Sequence, residues 1–292
     1  MILWGSIGLF TRYIGLAPIQ LAFSRAALAA LLLVIMSDRK NWSVRKFNRT
    51  SVVMYIMSGA LIGMAWVALF YGYTHTTIAS AVIIYNMCPV YVMLAAPIVL
   101  KEKRSHVQTG VIIVSIIGLV LIVGAPGVGE NDLMGKIMSG ISGLLYAVIV
   151  IMNRKIKAKL SGTIATAIQM MGASLVLLPF VLNAGFVSAV AALDKSAIVL
   201  TVVLGIVHTG VAYSLYFSTY HQMKSIDIVV YSYLEPVFGL LFGVVFLKEP
   251  LTRWQLAGGL LILGSTFIGE NIQAGRFTLG RPKTKLSKSY EE

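Results

Sequence analysis

Along this chain the polar positions come in short clusters, and the apolar positions between them form long, nearly unbroken stretches. Ten such stretches cover residues 1–16, 18–37, 51–73, 76–100, 106–124, 133–153, 163–183, 197–220, 226–247 and 252–272. A hydrocarbon layer ~30 Å thick takes ~20 apolar residues to cross as a helix. Lipid offers no partner to a bare backbone, so each crossing must be a helix or a strand of a closed barrel, and unbroken runs exclude the alternating barrel pattern. The expected fold is an all-α integral membrane protein with ten transmembrane helices joined by short connections.

Composition agrees with that reading. The 292 residues are 58% apolar and 12% charged, where a soluble domain carries about 25% charged residues. The net charge of +13 would suggest nucleic acid only if the basic residues shared one solvated face. Instead they gather in alternate loops: Arg39 to Arg49 after the second stretch, Lys101 to Arg104 after the fourth, Arg154 to Lys159 after the sixth, Lys224 after the eighth, and Arg276 to Lys288 in the tail. The positive-inside bias then puts both termini in the cytoplasm of a multi-pass plasma-membrane protein, with the bilayer as a partner and no nucleic acid. The single cysteine, Cys88, has no partner for an intrachain disulfide. Met1 begins almost inside the first stretch, which is short and carries neither a basic leader nor a small-residue cleavage site.

The chain also matches itself. At an offset of 147, Pro89-Val90 meets Pro236-Val237, Leu100-Lys101-Glu102 meets Leu247-Lys248-Glu249, and Gln108 meets Gln255. Gly63, Ala65, Phe70 and Tyr73 likewise meet Gly210, Ala212, Phe217 and Tyr220, while nearer the starts an offset of 142 pairs Trp4 with Tyr146 and Arg12 with Arg154. Two halves are therefore expected, 1–125 and 126–273, followed by a basic cytoplasmic tail, 274–292. Five crossings per half force the second to enter the membrane inverted, and inverted repeats are a hallmark of secondary transporters, where one midplane site faces each side in turn.

The segments WGSIGLFTRYIG with PIQLAFSRAALAALLL, SAVIIYNMCPVYVMLAAPIVLKEKRS, and the degenerate copy YLEPVFGLLFGVVFLKEPLTRWQLAGGLLILGS resemble the ten-helix EamA-type members of the drug/metabolite transporter superfamily. The resemblance covers nearly the whole chain and departs from the family pattern at the N-terminus, where the first helix is expected to lack about half a turn or more of leader. It implies a ten-helix fold with cytoplasmic termini, a central cavity lined chiefly by helices one, three, four, six, eight and nine, and export or exchange of small metabolites such as amino acids and drugs.

Glu235 is the residue least at home in its surroundings. A charge at a helix centre costs about 2.5 to 3.5 kcal/mol against ~0.3 to 0.6 returned by each Leu, Phe or Val, and intramembrane acids face a cavity or a partner rather than lipid. Its repeat counterpart is Cys88, so any site is asymmetric. Glu235 is expected either to exchange a proton, coupling transport to a pH gradient, or to stay ionised against a substrate ammonium. The alternative is a protonated carboxyl bonded to a neighbouring helix.

Pro89 and Pro236 are expected to break their helices, releasing the carbonyls of Tyr85 and Ser232 for a substrate, or else to act as plain kinks. Trp4, Trp66, Tyr85, Tyr146, Tyr213 and Tyr231 are candidates for cavity walls that suit amphipathic or cationic ligands, although Trp and Tyr also collect at membrane interfaces. Asn86 and His208 are polar groups at similar depth. Arg12 and Arg25 are the basic residues within stretches; each either meets a carboxylate or snorkels to the interface. The peripheral position that the resemblance gives helix two favours snorkelling for Arg25. Glu102 and Glu249 read as local pairs or caps, and Gly59-x-x-x-Gly63 and Gly239-x-x-x-Gly243 as sites of close helix approach.

An intramembrane enzyme would need a nucleophile with a base, or metal ligands on one face, and there is no H-E-x-x-H and no histidine cluster. The glycine-rich GAPGVG at 124–129 lacks the lysine of a phosphate cradle. A scaffold would need a large folded loop, which these connections are too short to supply. The expectation is a secondary transporter of neutral, zwitterionic or cationic metabolites, with no cofactor and no metal. Facilitated diffusion and exchange of anionic metabolites are the alternatives within that class; phosphate-bearing substrates would require several intramembrane cations.

Overall fold

The computed structural model describes residues 1–37, 48–99, 101, 105–125, 130–156, 160–215 and 233–273, and the regular structure among them is all helical. The first apolar stretch is two short helices, α1 (Ile2–Gly5) and α2 (Ile7–Ile14), closed by Gly15 at φ 75°. Then come α3 (Pro18–Met36), α4 (Arg49–His75), α5 (Ile78–Tyr85), α6 (Cys88–Val99) and α7 (His106–Val123). The later part holds α8 (Asp132–Lys155), α9 (Gly162–Asn183), the surface turn α10 (Phe186–Ala191) and α11 (Lys195–Gly205). A π-helical turn, Ile206–Val211, carries α11 on to Leu215, and α12 (Leu234–Leu247) and α13 (Arg253–Gln273) complete the described helices. Tyr231, Glu102, Ser232 and the basic tail lie outside the described residues.

Among the described residues, seven helical segments are long and apolar enough to cross a membrane. Their outward faces are greasy: Ile98 is 82% exposed, Ile35 70% and Val120 64%, as expected where the surrounding medium is hydrocarbon. Polar groups turn inward and are bonded. The Ser142 hydroxyl donates to the Ala65 carbonyl at 2.7 Å, Gln169 Nε2 donates to Ser58 Oγ at 2.7 Å, and Ser115 meets Ser265 at 2.9 Å.

The packing has a regular plan. In the centre α4 lies on α8 and α9, while α11 lies on α2 and α3; α5 lies on α8, while α12 lies on α1 and α2. Helix α3 also lies along α9, and α7 along α13. Helices α7 and α13 also open on the same device: Ser105 and Gln108 form one reciprocal capping box, and Thr252 and Gln255 form the other.

The close approaches expected of the glycine pairs are present. A Cβ on Gly59 would lie 2.0 Å from the Gln169 carbonyl oxygen, and one on Gly172 would lie 2.6 Å from that of Ile56. Helices α4 and α9 therefore touch backbone to backbone, which fixes the depth at which Trp66 faces the interior.

Candidate functional site

The elbow between α5 and α6 shapes one wall of the interior. The Asn86 N–H reaches the Val82 carbonyl at 3.0 Å and the Met87 N–H reaches back three residues to Ile84 at 3.1 Å. The helix restarts at Cys88 with Pro89 in its first turn. Because Pro89 has no N–H, the Tyr85 carbonyl loses its helical donor there, and the backbone of Gly143 on α8 passes close to that carbonyl. Asn86 turns its own side chain back to the Val82 carbonyl, Nδ2 donating at 2.8 Å. Pro236 is placed differently: it is the third residue of α12, where a missing N–H costs no helical bond, and the carbonyl of Ser232 lies beyond the described residues.

A second wall comes from the π turn. One extra residue in a helical turn bulges backbone and side chains out of register, and such turns are frequent at functional sites. Here it lets Trp4 Nε1 donate to the His208 carbonyl at 3.0 Å, while His208 Nε2 lies 2.9 Å from Ser6 Oγ and Nδ1 lies 3.3 Å from the Val203 carbonyl. His208 is buried and its ring packs on Phe10 at 4.4 Å between centroids, so it ties α11 to the first two helices and is not among the cavity-lining residues. The next residue, Thr209, accepts a 2.6 Å hydrogen bond from Arg25 Nε.

Arg25 differs from its expectation. It does not snorkel: it is 4% exposed, its guanidinium carbon sits 3.9 Å from the centroid of the Trp66 ring, and α3 lies centrally, packed on α4, α9 and α11. The physical reason is depth. At ~1.5 Å per residue, Arg25 stands about 10 Å from the Pro18 end of its helix, beyond the easy reach of its side chain, and Thr209 and the Trp66 face offer the cation partners on the spot.

Around these anchors an interior cavity opens in two adjoining chambers. The smaller is lined by Arg25, Trp4, Trp66, Leu69, Tyr73 and Glu235 among others; the larger by Asn86, Cys88, Pro89, Tyr233 and Glu270. Trp4, Tyr85, Tyr146, Tyr213 and Glu235 belong to both. Trp4 packs on Tyr213 at 5.3 Å between ring centroids, and Tyr85 meets Tyr146 edge-on at 5.7 Å. Of the residues expected from sequence, Glu235, Trp4, Trp66, Tyr85, Asn86, Tyr146, Tyr213 and Pro89 are thus brought together, and Tyr231 lies outside the described residues.

Among the described residues the Glu235 carboxylate has no hydrogen bond and no ion pair, and it lies more than 4.0 Å from the Arg25 nitrogens while still within its electrostatic reach. Sequence reasoning missed Glu270 as well. Its Oε2 is buried with no hydrogen-bond partner among the described residues, as is the Tyr233 hydroxyl on the same cavity. No group of three or more His, Cys, Asp or Glu suited to a metal occurs among the described residues.

Glu249 corrects a further expectation, because its partners are not local. Its Oε1 accepts from Arg12 Nη2 at 3.1 Å, its Oε2 accepts from the Ile78 N–H at 2.7 Å, and Arg12 also donates to the Thr76 carbonyl at 2.7 Å. This clasp joins the end of α2, the start of α5 and the corner between α12 and α13. Glu249→Ala, which strands the Ile78 N–H, is expected to lower stability by about 2 kcal/mol. Glu249→Gln keeps an acceptor and is expected to cost about 1 kcal/mol, because the Arg12 side chain is 32% exposed and such pairs are weak. Thermal unfolding of the purified variants in detergent would show the order; equal losses would contradict it.

Comparison with known proteins follows the same lines. The model of the EamA-like transporter family matches residues 1–124 and again 133–268. An uncharacterized transporter, YxxF, of Bacillus subtilis is 27% identical over 266 residues, covering 90% of this chain and 84% of its own. A probable amino-acid metabolite efflux pump of Salmonella typhimurium is 25% identical over 186 residues, 61% of this chain and 62% of its own. A solved crystal structure shares the fold over 94% of both chains at a TM-score of 0.60 and 18% identity. The family model covers most of the chain in two successive matches: this protein is a member of the EamA-like transporter family.

Proposed function

We propose that this chain is a secondary transporter that exports or exchanges small neutral, zwitterionic or cationic metabolites by alternating access at the cavity around Glu235. The observation that carries the reading is the convergence of aromatic residues from both parts of the chain, Trp4, Trp66, Tyr85, Tyr146 and Tyr213, on one interior space holding an unpaired carboxylate. Flat apolar walls with a few polar tips suit small amphipathic ligands, and a space buried inside a membrane protein can serve both sides only if the surrounding helices rock.

In this reading ten helices form two inverted halves, 1–125 and 126–273, with the tail 274–292 and both termini on the cytoplasmic side of the plasma membrane. Support comes from the packing plan: exchanging the helices of one half for those of the other turns the contacts of α4 with α8 and α9 into those of α11 with α2 and α3. The two family matches and the efflux-pump name of one relative point the same way. Glu235 either carries a coupled proton or meets the ammonium of the substrate.

Purified protein in proteoliposomes, loaded with a panel of unlabelled amino acids and organic cations, is expected to accumulate the matching labelled compound by counterflow. Repeating the assay with an imposed pH gradient separates proton-coupled transport from simple exchange. Absence of flux for every compound on the panel would overturn the reading.

A further inference from the structure

We propose that Arg25 is the anion anchor of this cavity and that the ligand is a small amphoteric molecule whose carboxylate docks on it, rather than a bare organic cation or an uncharged solute. The proposal rests on the transport reading above and narrows its substrate class.

Arg25 is 4% exposed, yet among the described residues it makes no ion pair, and its hydrogen bonding ends with the single bond from Nε to Thr209. A buried guanidinium with no counter-charge is costly in a bilayer interior, and such residues mark substrate pathways. Its plane is already fixed: Thr209 holds the Nε edge at 2.6 Å and the Trp66 ring lies 3.9 Å from the guanidinium carbon. That leaves the two terminal nitrogens, Nη1 and Nη2, without a hydrogen-bond partner among the described residues, and Arg25 lines the smaller chamber. A guanidinium edge of this kind matches the two oxygens of a carboxylate.

The second charge of the chamber decides the class of ligand. Glu235 lines the same space and is unpaired. An amphoteric molecule places its carboxylate at Arg25 and its ammonium at Glu235, so that both charges are met at once. A bare organic cation satisfies Glu235 but leaves Arg25 uncompensated and repels it. A phosphate monoester brings about two negative charges against one guanidinium, beside a carboxylate. Trp4, Trp66 and Tyr73 supply apolar walls for the side chain of such a ligand.

The test uses matched trios: alanine, leucine and phenylalanine, each with its decarboxylated amine and its deaminated acid. Binding to the full chain in detergent is read from tryptophan fluorescence, since Trp4 and Trp66 both line the chamber. At least one amino acid is expected to bind tenfold or more tightly than its amine, the usual scale for a charge-assisted hydrogen bond. Arg25→Gln is expected to bring the two affinities within threefold, and Arg25→Lys to restore part of the difference. Amines that bind the wild-type chain as tightly as the amino acids, or trios of which no member binds, overturn the proposal. The wild-type comparison decides this even if the Arg25 variants fail to fold. Binding of an amino acid without counterflow, by contrast, would leave the anchor standing and overturn the transport reading alone.

Discussion

Glu235→Gln is expected to slow counterflow in proteoliposomes by about thirtyfold or more while leaving the protein folded. The two halves of that expectation have separate causes. The Glu235 carboxylate has no hydrogen-bond or ion-pair partner among the described residues, so the amide strands no neighbour, and removing a buried charge from a bilayer interior does not penalise folding. A ligand ammonium or a coupled proton, however, loses the carboxylate that lines the smaller chamber, and losing one partner of a buried charged pair costs about 2 kcal/mol or more. If the role is proton carriage, the variant also loses the dependence of flux on pH. If the role is to hold the ammonium, Glu235→Asp keeps the charge and retains measurable flux. Counterflow at the wild-type rate with an unchanged pH profile would remove Glu235 from the mechanism.

The largest structural effect is expected from Gly59→Ala. The added methyl would stand 2.0 Å from the Gln169 carbonyl oxygen and close to its Cα. Backbone atoms cannot turn aside as a flexible side chain does, so α4 and α9 must separate. Overpacking a well-filled core costs about 1 to 3 kcal/mol where side chains absorb it, and a backbone clash is expected at or above the top of that range. Loss of the monodisperse peak in size-exclusion chromatography, or a large fall in melting temperature, checks this. Gly110→Ala is the control, because nothing lies within 4 Å of its added methyl and alanine is the better helix former.

These effects were unequally legible in the sequence. Chain-long apolar stretches predicted the helices, since length and hydropathy act locally. Glu235 announced itself because a carboxylate in a run such as YLEPVFGLLF needs a reason to be there. The aromatic cluster was half legible: Trp66 and Tyr213, or Trp4 and Tyr146, share repeat positions, yet nothing in one sequence tells a cavity wall from an interfacial belt.

Snorkelling was expected for Arg25 because the resemblance puts helix two at the periphery, and periodicity could not correct it, since a membrane helix is apolar on both its lipid and its protein faces. Counting residues to the helix end would have found it: Arg12 stands near the end of α2 and Arg25 well inside α3. Glu270 was overlooked near the end of α13, where an acid looks ordinary. The long-range clasp of Glu249 was invisible for a different reason, since its partners lie 171 and 237 residues away and only the folded chain brings them together.

The turn at Ile206–Val211 sets the azimuth of everything that follows it in the same helix. One surplus residue rotates the downstream segment by roughly 100° relative to an unbroken α-helix, and Tyr213, which reaches the cavity, lies just beyond. Straightening that turn without a deletion would therefore swing the phenol away from Trp4, whereas deleting Val207 with it would let the helix close as a plain α-helix and leave the phenol in place.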